Sequence, residues 1–171
     1  FHTSSVMARS SLFRELPDYC VVSEKHGVGD HPRAILFALS GKIRYIDRYM
    51  SVYRNNSTPT AWTTRMRENA FLVDRLTGAV EMYAAALGHV EGENKKLLEQ
   101  TLHRYEWELL QAKGEYAEMR REPYRMITKQ RGLIQMLWLD FKQYLPGLYC
   151  LYMRARGMEK GIPEKLRKGK R

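Results

Sequence analysis

Apolar residues recur at helical spacing along most of the chain after residue 30. In the segment IRYIDRYMSVYR (43–54), Ile46, Tyr49, Met50 and Tyr53 are three or four positions apart, which places them on one face of a helix. Short runs rich in Gly, Pro, Asn or Ser separate such segments, and the sequence has no alternation typical of strands. We expect an all-α protein with about eight helices after residue 30, arranged as antiparallel pairs.

Residues that interrupt the apolar pattern predict where these helices begin and end. Breaks are expected at Gly41, at residues 74–77 and at residues 145–147, where Gly, Pro or Thr interrupts the apolar pattern. Residues 124–143 have no such interruption except Gly132 and predict one continuous helix. The final helix is expected to have Gly157 as its C-cap glycine.

The interruptions and the composition divide the chain into three parts. Residues 1–30 contain Pro17 and the run HGVGD, and we expect them to form an irregular, extended N-terminal arm. Residues 31–157 form the predicted helical domain. Residues 158–171 are rich in Lys and Arg and are expected to form a basic C-terminal tail.

A tyrosine stripe recurs in the second predicted helix of each pair. Its central residues are Tyr49, Tyr83, Tyr116 and Tyr149, which are 34, 33 and 33 residues apart. A helix pair repeated at this period predicts an α-solenoid, in which stacked hairpins share one continuous core. The alternative is an unrelated helical bundle, because eleven tyrosines offer many chance offsets. The positions four before and three after each tyrosine are Tyr45 and Val52, Ala79 and Ala86, Ala112 and Met119, and Leu145 and Tyr152.

We therefore assign six residues to packing between hairpins. Positions i, i+4 and i+7 share a helix face, and the alanines allow two helices to approach closely. The assigned residues are Tyr49, Ala79, Tyr83, Ala112, Tyr116 and Tyr149.

The formal net charge is +10, and basic residues are concentrated near the C-terminus. A basic segment of this kind binds nucleic acid, an acidic membrane surface or an acidic protein, and charge alone does not choose among them. The densest apolar run, LIQMLWL (133–139), is too short to cross a bilayer, so we expect no transmembrane segment. The candidate partner-binding residues are Arg154, Arg156, Lys165, Arg167, Lys168, Lys170 and Arg171.

The first fourteen residues indicate a mitochondrial protein. They hold four Ser, one Thr and two Arg, and the first acidic residue is Glu15. Such a composition is typical of organelle-targeting peptides, and FHTSSVMA resembles the end that remains after processing of a mitochondrial presequence. The alternative is an ordinary polar N-terminal arm.

No pattern of catalytic or metal-ligating residues stands out. The five histidines have no ligand spacing, and the best metal candidate, HVEGE (89–93), is more typical of a solvated loop. The run SGK (40–42) lacks the glycine-rich loop that cradles phosphate. Cys20 and Cys150 indicate reduced thiols rather than a disulfide framework. We expect a protein that is not an enzyme and binds no cofactor, metal or small-molecule substrate.

Two segments resemble the pentatricopeptide-repeat family. Residues 60–92 have an aromatic residue, Trp62, early in the first helix and Ala79 and Tyr83 in the second, and residues 147–163 are similar to the end of that family's repeat. The resemblance implies a right-handed solenoid of about three to four helical hairpins.

Pentatricopeptide proteins usually bind single-stranded RNA with about one base per repeat. The positions that would read bases here hold Thr63, Lys96 and Lys129. Threonine fits that role, whereas lysine contacts phosphate and does not discriminate between bases. An RNA-binding protein, or a component of the mitoribosome or of an RNA-processing complex, is therefore the alternative function.

In size, N-terminal composition and repeat form, the chain is similar to an accessory subunit of the euglenozoan mitochondrial ATP synthase catalytic head. This resemblance implies a non-catalytic structural or assembly role, with the solenoid packed on the outside of the alpha subunit. It also implies a location in the mitochondrial matrix, peripheral to the inner membrane as part of the complex.

Overall fold

A computed structural model of the chain describes residues 6–26, 30–48 and 62–168. Within those ranges the regular structure is helical and contains no strand, which confirms the predicted all-α class. The helices are α1 (Asp18–His26), α2 (Asp30–Ser40), α3 (Trp62–Arg65), α4 (Asn69–Ala86), α5 (Gly92–Lys113), α6 (Arg125–Gln130), α7 (Leu133–Tyr144), α8 (Pro146–Ala155) and α9 (Glu164–Lys168).

The long hairpin α4–α5 forms the centre of the N-terminal half. Helix α4 packs on α1 along one side and on α5 along another, and these are the most extensive helix contacts among the described residues. The stripe of small and apolar residues on α4 explains this position, because alanine and glycine let neighbouring helices approach closely. The main buried cluster consists of Tyr19, Cys20, Met82, Tyr83, Ala86 and Leu102.

The predicted helix break at residues 74–77 is wrong, because α4 continues through it. The hydroxyl of Thr77 donates to the carbonyl oxygen of Val73, one turn earlier, at 2.8 Å. Gly78 and Ala79 that follow are both buried. Packing of this face compensates for the low helix propensity of Thr and Gly.

The prediction of an extended arm over residues 1–30 is wrong for residues 18–26. These residues form α1, whose Tyr19 and Cys20 side chains are buried in the main cluster. Pro17 lies just before the helix and its carbonyl oxygen accepts a hydrogen bond from the Cys20 backbone N–H. The helix is short and only weakly amphipathic, so its stability depends on the contact with α4.

The helix predicted over residues 43–54 is wrong for its first half. Residues 42–47 have no regular structure, and Tyr45 is 83% exposed. Tyr49 and Val52 of the first stripe lie outside the described residues.

The three later stripes differ from one another. Ala79, Tyr83 and Ala86 are all buried on α4. Tyr116 is also buried, yet it follows Gly114, whose φ of +77° ends α5, so the third stripe does not lie on one helix. In the fourth stripe Tyr149 is buried, whereas its partners are half exposed.

The continuous helix predicted over residues 124–143 is wrong as well. The chain breaks into α6 and α7 at Gly132, whose φ of +84° is unfavourable for a residue with a β-carbon. Gly157, by contrast, has a φ of +64° just beyond the end of α8, as expected of a C-cap glycine.

The C-terminal segment is a packed part of the fold rather than a loose tail. Ile162 and Pro163 are buried, and Leu166 on α9 contacts both apolar clusters of the C-terminal half. A β-carbon at Gly114 would lie 3.2 Å from the Pro163 side chain, so the end of α5 and the C-terminal segment meet closely. Residues 162–166 of the predicted basic C-terminal tail (158–171) are therefore part of the packed fold.

A buried hydroxyl joins α5 to α6. The indole N–H of Trp107 donates to the Thr128 hydroxyl at 2.9 Å, and this hydroxyl donates to the carbonyl oxygen of Met119 at 2.6 Å. Both Trp107 and Thr128 are buried. The side chain of Thr128 thus satisfies two polar groups that water does not reach.

Replacing Ala79 by leucine should overpack the buried face of α4. We expect Ala79→Leu to lower the free energy of unfolding by about 1–3 kcal/mol, as measured by urea denaturation. The matched control is Ala84→Leu on the exposed side of the same helix, which should have little effect. Equal effects of the two substitutions would show that the face is assigned wrongly.

Replacing Thr128 by valine should leave the Trp107 indole N–H buried and unpaired. We expect Thr128→Val to cost about 1–3 kcal/mol of the free energy of unfolding. Thr101→Val on α5 is the control, because the Thr101 hydroxyl bonds only to Leu97 of its own helix. Thermal melts that show the same shift for both variants would contradict the role given to Thr128.

Candidate protein-interaction surface

Helices α7 and α8 expose a large apolar surface. Within twenty residues of α7 and α8, eight large apolar side chains are between 43% and 85% exposed. We name this surface the α7–α8 face. Its residues are Leu133, Ile134, Leu137, Tyr144, Leu145, Leu148, Leu151 and Tyr152.

The opposite sides of both helices are well packed, which fixes the orientation of the face. Leu139 of α7 is buried against the end of α5, and Tyr149 and Met153 of α8 are buried against Ile162. Pro146 occupies the first turn of α8, and Leu145 has a non-helical φ of −125°, so the chain turns sharply between the helices. The exposed apolar residues therefore lie on a rigid support rather than on a loop.

Aromatic rings join the two helices beside the face. The ring centroid of Trp138 lies 5.7 Å from that of Tyr152 and 6.1 Å from that of Tyr149, both in edge-to-face geometry. Phe141 stacks on Trp138 with a centroid distance of 5.3 Å. These contacts hold Trp138 in place at the edge of the face.

A groove opens on the α7 side of the face. It has a volume of about 610 Å³ and is lined by Ile134, Gln135, Leu137 and Trp138. Its only polar lining residue is Gln135, so the groove has no set of converging polar groups that would orient a charged small molecule. An apolar side chain is the occupant that fits this lining.

The segment of the chain that contains the face has mostly basic charged residues. Between Arg125 and Arg156 the chain has six basic residues and a single acidic one, Asp140. That carboxylate is already paired with the guanidinium of Arg120. The segment therefore combines exposed apolar side chains with a net positive charge.

The predicted partner-binding residues lie in different parts of the structure. Arg154 and Arg156 are exposed at the end of α8, next to the face. Lys165 is exposed on α9, and the guanidinium of Arg167 donates to the carbonyl oxygen of Glu159 at 2.6 Å, which ties it to the local fold. The side chain of Lys168 and the residues Lys170 and Arg171 lie outside the described part of the chain.

Lys142 is buried beneath the face among three aromatic rings. Its Nζ lies 5.6 Å from the ring centroid of Tyr149, 5.8 Å from that of Trp138 and 5.9 Å from that of Tyr116. Burial lowers the pKa of this lysine from its ordinary value. The ring faces compensate in part for the lost hydration of the ammonium group.

Several acidic side chains and His89 have structural partners. His89 Nε2 lies 2.8 Å from the Asp18 carboxylate, which joins the α4–α5 turn to α1. The carboxylate of Glu106 accepts a hydrogen bond from Tyr124, and that of Glu108 pairs with Arg131. In the parts of the chain that the structure describes, no three His, Cys, Asp or Glu side chains group as metal ligands.

A second histidine lies at the junction of α2 with the central hairpin. The hydroxyls of Tyr83 and Tyr105 are 3.0 Å and 3.3 Å from Nδ1 of His31, and the two tyrosine rings stack. Burial lowers the pKa of His31, which favours the neutral ring that accepts hydrogen bonds at Nδ1. This arrangement joins three helices.

The positions proposed to read RNA bases do not occupy equivalent places. Thr63 lies on the four-residue helix α3, Lys96 is exposed on α5 and Lys129 is exposed on α6. The helices that carry them differ in length from 4 to 22 residues. A repeated base-reading register is therefore not visible in the described helices.

No helix within the described ranges has the length and apolar character needed to cross a membrane. A comparison with protein-family models, with curated proteins and with solved structures found no match for this chain. The family resemblance given by the sequence therefore stays a prediction.

Analysis of the sequence pattern missed the α7–α8 face. The signal was present in LIQMLWL, where apolar residues occupy positions all around the helix. A helix that is apolar all round needs cover on every side, whereas α7 has cover on only one. Testing each helix for excess apolar positions would have identified the face without coordinates.

Replacing Lys142 by methionine should stabilise the protein and flatten its dependence on pH. The pKa of Lys142 is lowered in the folded state from 10.5, so between the two values the unfolded chain binds the extra proton. Stability should therefore rise as pH rises through that window. Lys142→Met should abolish this rise and add about 1 kcal/mol to the free energy of unfolding at pH 7.

Urea denaturation at a series of pH values from 7 to 10.5 measures both effects of Lys142→Met. The control is Lys95→Met at an exposed position of α5, where the rise with pH should persist. A Lys142→Met protein that is less stable than the parent and has an unchanged pH dependence would contradict the assignment.

Proposed function

We propose that this chain is a non-catalytic structural or assembly subunit that docks on a larger protein complex through the α7–α8 face. The observation that carries the proposal is the exposure of eight large apolar side chains within twenty residues, on helices whose other sides are packed. Monomeric proteins rarely expose contiguous apolar patches of more than a few hundred Å², and larger patches mark interaction sites.

The order of helix contacts supports a solenoid-like scaffold for this role. Helix α4 contacts α5, α6 contacts α7 and α7 contacts α8, so these helices pack on their neighbours in the chain, whereas α1 packs on α4 across the intervening helices. In such a scaffold the last helical pair has one face without a following repeat. We propose that a partner protein covers this end, where a further hairpin would otherwise stack.

The proposed complex is the mitochondrial F-type ATP synthase, with the subunit on the outside of the alpha subunit of the catalytic head. The resemblance in size, N-terminal composition and repeat form supports this choice. The protein would then be located in the mitochondrial matrix, peripheral to the inner membrane, and would not contact ATP. The aromatic residues of the face, Tyr144, Tyr152 and the adjacent Trp138, belong to the types enriched in interface cores.

The alternative proposal is an RNA-binding role in a mitochondrial RNA-processing complex or the mitoribosome. The observation that favours it is the concentration of charge, because residues 125–171 contain twelve basic and three acidic residues. Binding through phosphate contacts would fall steeply with added salt. A filter-binding titration with RNA oligonucleotides at physiological salt tests this function, and base-selective binding by an isolated monomer would favour it over the scaffold.

Replacing Leu137 by glutamate should disrupt docking without unfolding the chain. Leu137 is 58% exposed at the centre of the α7 part of the face, so the charge meets solvent in the free protein and the partner in the complex. We expect Leu137→Glu to reduce co-purification of the alpha subunit with tagged chain at least tenfold.

The matched control for Leu137→Glu is Leu97→Glu, because Leu97 is 60% exposed on α5 and lies apart from the face. Circular dichroism should show native helix content for both variants. Co-purification that is unaffected by Leu137→Glu, or lost equally with Leu97→Glu, would overturn docking through this face.

A further inference from the structure

Three features indicate what can cover the α7–α8 face. They are the groove, the spacing of the exposed residues and the charge of the C-terminal half. We propose that the face binds an amphipathic α-helix of a different protein, with apolar residues on one side and acidic residues along its flanks. This inference rests on the proposed function only in taking the α7–α8 face as the docking surface. It does not depend on which complex supplies the helix.

The exposed residues of α7 form a line that another helix can follow. Leu133, Leu137 and Tyr144 are separated by four and seven positions, so they lie along one side of α7 over about 16 Å. A helix that packs beside such a line contributes anchors at i, i+3 or i+4, and i+7. About three turns of a partner helix would span the line.

The groove selects a protein side chain over a flat surface. Ile134, Leu137 and Trp138 line a shallow, open groove of about 610 Å³ at the start of α7. An apolar anchor residue that enters the groove gains contact with these side chains. A bilayer surface has no such residue to insert, so the groove favours a helix over a membrane.

Charge complementarity excludes a second copy of this chain and favours an acidic partner. Residues 125–171 account for nine of the ten net positive charges of the protein. Two such surfaces facing each other would repel, because Arg154 and Arg156 of each copy would approach like charges. Carboxylates on the flanks of a partner helix would instead pair with these arginines and steer its approach.

The acidic residue of α7 does not neutralise the charge of the site. Asp140 is paired with Arg120, and its side chain is half-buried. Arg154 and Arg156 at the end of α8 are exposed and can meet the partner. Acidic residues of the partner, rather than of this chain, complete the charge balance of the interface.

Photo-crosslinking of the full chain tests the proposal directly. A benzophenone amino acid is placed at Leu137, and, in separate proteins, at Ile134 and at the control position Leu97. Each tagged chain is expressed in cells that assemble the native complex, irradiated and purified, and the crosslinked peptide is sequenced. We expect the probes at positions 134 and 137 to label one segment of another protein, and the probe at 97 not to label it.

The labelled segment must have apolar residues at i, i+3 or i+4, and i+7 and a net negative charge. In the Leu137 probe background, the double variant Arg154→Glu and Arg156→Glu should reduce the crosslink yield at least fivefold. The matched double variant Lys95→Glu and Lys96→Glu, which reverses two exposed charges on α5, should leave the yield unchanged.

Several results would overturn the inference. Crosslinks to lipid, to a second copy, to residues 49–61 of the same chain or to a basic segment would each identify a different occupant. Absence of crosslinks from both positions while the chain still co-purifies with its complex would overturn this inference and docking through the α7–α8 face, and would leave a subunit role that uses another surface. A chain that joins no complex at all would overturn the proposed function and this inference together.

Discussion

The packing of α4 between α1 and α5 is the constraint on which the rest of the structure depends. Gly78, Ala79 and Ala86 project little from α4, so two helices can approach it closely. Met82 and Tyr83 fill the space between the helices. The short helix α1 has no other extensive contact among the described residues. Its order, and the burial of Tyr19 and Cys20 that comes with it, therefore depends on the small side chains of α4.

Polar and apolar contacts join the C-terminal half to the end of α5. Gly114 ends α5 against Pro163, and the Trp107–Thr128 hydrogen bond fixes α6 to the same helix. Lys142 lies buried among three rings in this region, which costs hydration energy that apolar packing offsets. The result is a firmly held α7–α8 pair whose inner side is complete.

A complete inner side explains why the outer side is informative about function. The exposed apolar residues of α7 and α8 cannot turn inward, because Leu139, Tyr149 and Met153 already occupy the interior. Their exposure to water costs free energy, which the proposed partner surface would recover on binding. The exposed arginines at the end of α8 would give the proposed interface its selectivity for acidic partners.

The sequence by itself determined the helical class, the end of α8 at Gly157 and the small-residue stripe of Ala79, Tyr83 and Ala86, because these depend on local propensity and on spacing along one helix. It did not determine that residues 74–77 continue a helix, that α1 is ordered or that residues 162–166 are packed. Each of those outcomes depends on contacts between residues far apart in the chain. For the same reason only the tertiary structure decided which apolar residues of LIQMLWL are buried and which remain exposed.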